Sequence, residues 1–128
     1  MSIIQVNHIR SDCRARFGAL INISDIATAN ADEKETNILS RELAAFAVAA
    51  AAKIDDTLAA QSVVDEYHDD GIDAFFFDRA EHTAYLVQSK WVKEGTKSVD
   101  VGSVHKFLTG VNHFLQNEIS LLGPKMQA

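Results

Sequence analysis

Two short apolar runs, 72–78 and 82–91, are separated only by Arg79, Ala80 and Glu81, and no other feature constrains the fold as strongly. Apolar runs joined by so short a turn read as a β-hairpin. The first run, Ile-Asp-Ala-Phe-Phe-Phe-Asp, is rich in aromatic residues that suit a pleated, half-buried surface. Side chains alternate along a strand, so Asp73, Phe75 and Phe77 share one face. On the returning strand Ala84, Leu86, Gln88 and Lys90 share a face, and Tyr85, Val87, Ser89 and Trp91 take the other.

Helices are expected on both sides of this hairpin. The most regular pattern runs from Asp32 to about Ile54, with Ile38, Leu39, Leu43, Phe46, Ala47 and Ala50 at helical spacing. Asp32 and Glu35 have the form of a capping box, and early acid suits the helix dipole. Glu42 falls inside the apolar stripe, so its carboxylate must be paired, ligated or at the stripe's edge. Asp55 and Asp56 end this helix or cap a short one over 57–62. A first helix is expected over 7–21, with Arg10, Arg14 and Arg16 on its polar side. The stretch 65–71 reads as a polar loop closing on an Asp-Gly turn, and 93–98 as a loop around Gly95. A last helix spans 100–121, with Val104, Phe107, Leu108, Val111, Leu115 and Ile119 as its stripe. Residues 1–31 therefore form a helical extension and 32–121 a core.

With 128 residues the chain has room for one domain. Its 47% hydrophobic and 23% charged content is that of a globular protein. The net charge of −6 argues against a protein that coats nucleic acid, though not against an enzyme that acts on it. Basic residues gather near Arg10–Arg16 and between Lys90 and His113, while acid concentrates from Asp25 to Asp78. Cys13 stands alone, which excludes a disulfide framework within the chain and fits a reducing cytoplasm. No signal peptide is visible, and the longest apolar run, Leu43 to Ala52, is too short and alanine-rich to span a bilayer.

Asp73 opens one strand of the hairpin and Lys90 closes the other, so the polar sets Asp70-Gly71-Ile72-Asp73 and Gln88-Ser89-Lys90 meet at one end. A carboxylate, an amide and an ammonium in otherwise apolar strands suit phosphodiester hydrolysis. Asp73 offers Mg²⁺ a hard oxygen and the Gln88 carbonyl a weaker one. Lys90 would orient or help deprotonate the attacking water, or neutralise charge in the transition state. Glu42 is a further candidate carboxylate from the long helix.

This arrangement resembles the PD-(D/E)XK nuclease superfamily, with Gln88 in place of the usual acid as in Mrr-like restriction endonucleases. The stretch from Val64-Asp65 through Asp70-Gly71-Ile72-Asp73-Ala74, then Tyr85-Leu86-Val87-Gln88-Ser89-Lys90-Trp91, resembles the N-terminal domain of abortive infection phage resistance proteins. Phe107-Leu108-Thr109-Gly110-Val111 fits as well, and the likeness covers about Arg41 to Leu115. It implies an α/β fold with a restriction-endonuclease-like α-β-β-β-α core, its sheet flanked by helices and followed by a further strand. The chain ends at Ala128, just past the last helix, so that strand is expected to be missing. A truncated form, a short stand-alone variant and a domain completed by another chain all fit.

The resemblance further implies a Mg²⁺-dependent endonuclease, with Mn²⁺ as a substitute, acting on DNA in anti-phage defence. RNA is the alternative substrate, and a homodimer or the rest of a longer chain the expected partner. Asp73, Gln88, Lys90 and Glu42 are the catalytic candidates, and Asp73, Gln88 and Glu42 the metal ligands, with Asp65 or Asp70 as the alternative extra acid. Simpler readings stand beside these. Asp69 and Asp70 are turn formers. His68, His82, His105 and His113 lack a ligand spacing. Phe75, Phe76 and Phe77 are core. Trp91 packs or stacks on a base. Lys93, Lys97 and Lys106 are solvated or follow phosphates. A degenerate nuclease fold that binds nucleic acid or protein without cutting is the competing function, and an oligomerisation domain a third.

Overall fold

The computed structural model describes residues 3–23, 30–64, 72–92 and 101–115. Among these the architecture is mixed, with helices α1 (Ile3–Phe17), α2 (Ala31–Ala52) and α3 (Asp56–Gln61), strands β1 (Ala74–Asp78) and β2 (Thr83–Val87), and helix α4 (Val101–Leu115). The strands form a two-stranded antiparallel sheet.

The long helix begins one residue earlier than the expected Asp32, and the capping box is not what starts it. Asn30 is the cap: its side-chain oxygen accepts from the Glu33 amide at 2.8 Å. Asparagine in extended backbone satisfies one of the orphan amides of the first turn, and Glu35 is left to pair with arginines instead. The helix ends at Lys53, whose φ of 57° is left-handed. Asp55 then caps α3 through the Leu58 amide at 2.8 Å, as its position predicts.

The first helix starts and ends four residues before the expected 7–21, because Val6 joins Cys13 and Phe17 on its buried stripe. Gly18 follows it where the chain turns back tightly: a Cβ there would stand 2.6 Å from the Arg14 carbonyl. The three arginines are not merely solvated. Arg10 and Arg14 both reach Glu35 at 2.9 Å, and Arg16 reaches Asp56 at 2.6 Å. The Arg16 guanidinium also lies 5.1 Å from the ring centres of both Phe17 and Phe46.

The main core is built on alanine. Ala44, Ala45, Val48 and Ala49 of α2 meet Ala59 and Ala60 of α3, Val63, Ala74 of β1, and Phe17 and Ile21 from the N-terminal region. Small side chains let these backbones approach closely, and Phe17 and Val48 supply bulk, each worth about 1.5–3 kcal/mol when fully buried.

Hairpin register pairs Phe75 with Leu86 and Phe76 with Tyr85. Phe76 and Val87 pack on the α2–α3 core, while Phe75 and Leu86 pack with Val64, Ile72 and Phe107 of α4. The sheet therefore has helices on both faces, and the expected alternation holds through these positions, but Phe77, expected in the core, is exposed. The link runs one residue longer than expected, to His82, whose φ is 51°. Asp78 accepts from the Glu81 amide within it.

Among the described residues no third strand is present, and one isolated rung flanks β1. Val63 bridges Ala74 antiparallel on the edge of β1 away from β2, flanked by Val64 N to Asp73 O at 2.8 Å and Phe75 N to Ser62 O at 2.9 Å. Phe107 of α4 is packed, but Val104 and Leu108 of the expected stripe are exposed at 38% and 56%. They lie beside the face that Phe107 and the buried Gly110 turn inward. The expected end of this helix, 116–121, lies outside the described residues, as do the stretches 65–71 and 93–98 expected to be loops.

Candidate active site

Asp73 lies directly before β1 and is held on both backbone edges. Its amide donates to the Val87 carbonyl at 2.7 Å, and its carbonyl accepts from Val64. Its half-buried carboxylate accepts from the Ser89 amide at 2.7 Å through Oδ2. The carboxylate is thus fixed against the backbone of the segment that carries Gln88, Ser89 and Lys90.

That bond also explains where β2 stops. The expected strand runs to Trp91, yet the ladder ends at Val87. Beyond it the Ser89 amide turns to Asp73, the Ser89 hydroxyl donates to the Ser40 carbonyl, and the Trp91 amide donates to Ser40 Oγ at 2.9 Å. The segment leaves the sheet and docks on α2. Gln88 is half-buried there and Lys90 is exposed. Trp91 is buried against Val6 and Leu39, which is the packing reading of this residue.

Glu42 is placed differently. It has no exposed surface, and both its oxygens accept from Arg14 Nε, at 2.7 and 3.2 Å. Burial pushes its carboxyl above the ordinary range, outweighing the pull of the Arg14 guanidinium. Two residues along a helix correspond to a turn of about 200°. Ser40 addresses the hairpin and Glu42 addresses α1. The fold thus brings the Asp73 carboxylate to the backbone of the segment that carries Gln88 and Lys90, while Glu42 is committed to an arginine. Asp65 and Asp70, the other candidate acids, lie outside the described residues.

Among the described residues no group of three or more His, Cys, Asp or Glu side chains is placed to hold a metal ion. The donor set on offer is one carboxylate and one amide. Mg²⁺ is commonly held by only one or two carboxylates, with water and substrate phosphate completing its shell, so these residues fit a loosely held ion rather than a closed structural site. His82 and His105 are exposed, as is Lys106. Cys13 is buried, and burial, helped by Glu42 and Asp12, pushes its thiol up to about 11.

The bonds of Ser40 and the pairing of Arg14 with Glu42 go beyond what the sequence pattern predicts. Serine is a poor residue for a helix interior unless its side chain has a bond to make, and that was the available signal for Ser40. For Arg14 the signal was Glu42 itself, a carboxylate in an apolar stripe that requires a partner.

Comparison with family models, with curated proteins and with solved structures finds no match to this chain. Among the described residues no helix is long and apolar enough to cross a membrane.

Proposed function

We propose that the chain is a restriction-endonuclease-like domain that hydrolyses DNA phosphodiester bonds with the help of Mg²⁺, in the setting of anti-phage defence. The observation that carries this reading is the 2.7 Å bond from the Ser89 amide to the Asp73 carboxylate, which brings Asp73 to the Gln88–Ser89–Lys90 segment. The Val63–Ala74 rung, which precedes the hairpin in the chain and flanks β1, is consistent with a reduced first strand of such a core.

Asp73 and Gln88 would hold the cation; Glu42, occupied by Arg14, is not assigned a part. When bound, Mg²⁺ supplies Lewis-acid charge to the phosphate and acidifies water. Lys90, which is exposed, would offer its ammonium to an incoming phosphate, orienting the attacking water or offsetting charge on the phosphoryl oxygens. Cleavage of plasmid DNA in Mg²⁺ or Mn²⁺ but not in EDTA is the test. Lys90→Ala and Asp73→Asn should abolish it with the circular dichroism spectrum unchanged. Full activity in Lys90→Ala would remove the assignment.

The commitment of Glu42 to Arg14 favours a second reading, a nuclease-like module that binds nucleic acid or a protein partner without cutting. Salt-sensitive DNA binding with no cleavage under any divalent cation would select it.

A further inference from the structure

We propose that Ser40 of α2, together with Ser89, forms a latch that positions the Gln88–Lys90 segment against Asp73; as an account of catalysis this rests on the nuclease reading above. The backbone ladder of β2 ends at Val87. What orders the next residues is a set of bonds that the sheet does not supply. The Ser89 amide goes to Asp73, the Ser89 hydroxyl to the Ser40 carbonyl, and the Trp91 amide to Ser40 Oγ. Two of the three end on a single residue of α2.

The Trp91 ring adds an apolar anchor, buried with Leu39 of the same helix and Val6 of α1. Leu39 and Ser40 are consecutive, so one stretch of α2 holds the segment through both its side chains. The spacing between Asp73 and the functional groups of Gln88 and Lys90 is therefore set by where α2 sits as well as by the hairpin. Ser40 and Ser89 are positioning residues in this account, since neither is assigned contact with substrate.

Amide hydrogen exchange read residue by residue, with Mn²⁺ titration and DNA cleavage on the same samples, tests the latch. In Ser40→Ala the Ser89 and Trp91 amides should exchange at least about tenfold faster, while the β1 amides keep their wild-type rates. Mn²⁺ should bind about tenfold more weakly. The kcat for cleavage should fall about ten- to a hundredfold, with KM within about twofold, as expected for displaced rather than missing groups. Ser40→Thr, which keeps the hydroxyl, should restore all of these. Ser89→Ala, which keeps the amide bond to Asp73, should repeat the loss and serves where Ser40→Ala does not fold.

Wild-type exchange and Mn²⁺ affinity in Ser40→Ala, or failure of threonine to rescue, would overturn the latch. Wild-type protein that neither binds Mn²⁺ nor cuts DNA would instead overturn the nuclease reading, and the exchange rates would still decide whether Ser40 holds the segment.

Discussion

Replacing Arg14 by alanine leaves the Glu42 carboxylate, which has no exposed surface, without the guanidinium that donates to both its oxygens. Breaking a buried ion pair by removing one partner costs about 3–5 kcal/mol. Arg14 itself is 43% exposed, so water reaches part of the vacated space and the cost falls to about 2–3 kcal/mol. For a chain of this length that corresponds to about 10 °C in Tm. The cost depends on pH, and its sign follows from protonation. Burial already raises the Glu42 carboxyl, and losing Arg14 raises it further. The folded variant then binds a proton that the unfolded chain has released. Its stability is intact below the unfolded value near pH 4 and falls as pH rises through the folded value. Urea denaturation followed by circular dichroism at pH 4.5 and pH 8 should show a small loss at the lower pH and the full loss at the higher. Adding Glu42→Gln removes the stranded charge and should recover about 1 kcal/mol or more at pH 8. An equal loss at both pH values, or a double variant no better than Arg14→Ala, would refute the role given to this pair.

Three further outcomes are expected. Hydrogen bonding and charge from Arg16 hold Asp56 below the ordinary carboxylate range; this contribution is present at neutral pH and is lost as pH falls, so Asp56→Asn should destabilise at pH 7 and progressively less toward about pH 2 in thermal melts. The buried Cys13 thiol, raised to about 11, should resist a thiol reagent at pH 8 until denaturant is added, and rapid labelling of native protein would count against its placement. Leu39→Ala should cost about 2–5 kcal/mol and shift Trp91 emission to the red, because the two side chains share a cluster; unchanged fluorescence would argue against that packing.

Much of this arrangement was legible in local pattern. The hairpin followed from two apolar runs and a short link, and the face shared by Phe75 and Leu86 followed from alternation. Asp55 as a cap was legible because a cap acts within three residues of itself. What escaped involves partners distant in the chain. Nothing near Glu42 announces that Arg14, twenty-eight positions earlier, meets it, since the meeting depends on how α1 crosses α2. The early end of β2 has the same origin: the period of the sequence continues to Trp91, but Asp73 and Ser40 compete for its amides and win. A serine inside a helix hints at a bond to make, but not that its partners are Ser89 and Trp91, about fifty positions away. Of the three strands expected, the described residues show two, with Val63 adding an isolated bridge to Ala74.

The sealing of Glu42 bears on how the protein can be trimmed. Phe17 and Ile21 share a cluster with Ala74 of the hairpin, and Arg14 pairs with the buried Glu42 carboxylate. A chain shortened to begin at Asn30 would lose a wall of that cluster and set an ionised group at a raw apolar surface. Shortened in that way the protein should be expressed poorly or recovered as aggregate. Supplying residues 3–23 as a separate peptide should return it to solution, so the first helix would serve as a complementing fragment rather than a dispensable leader.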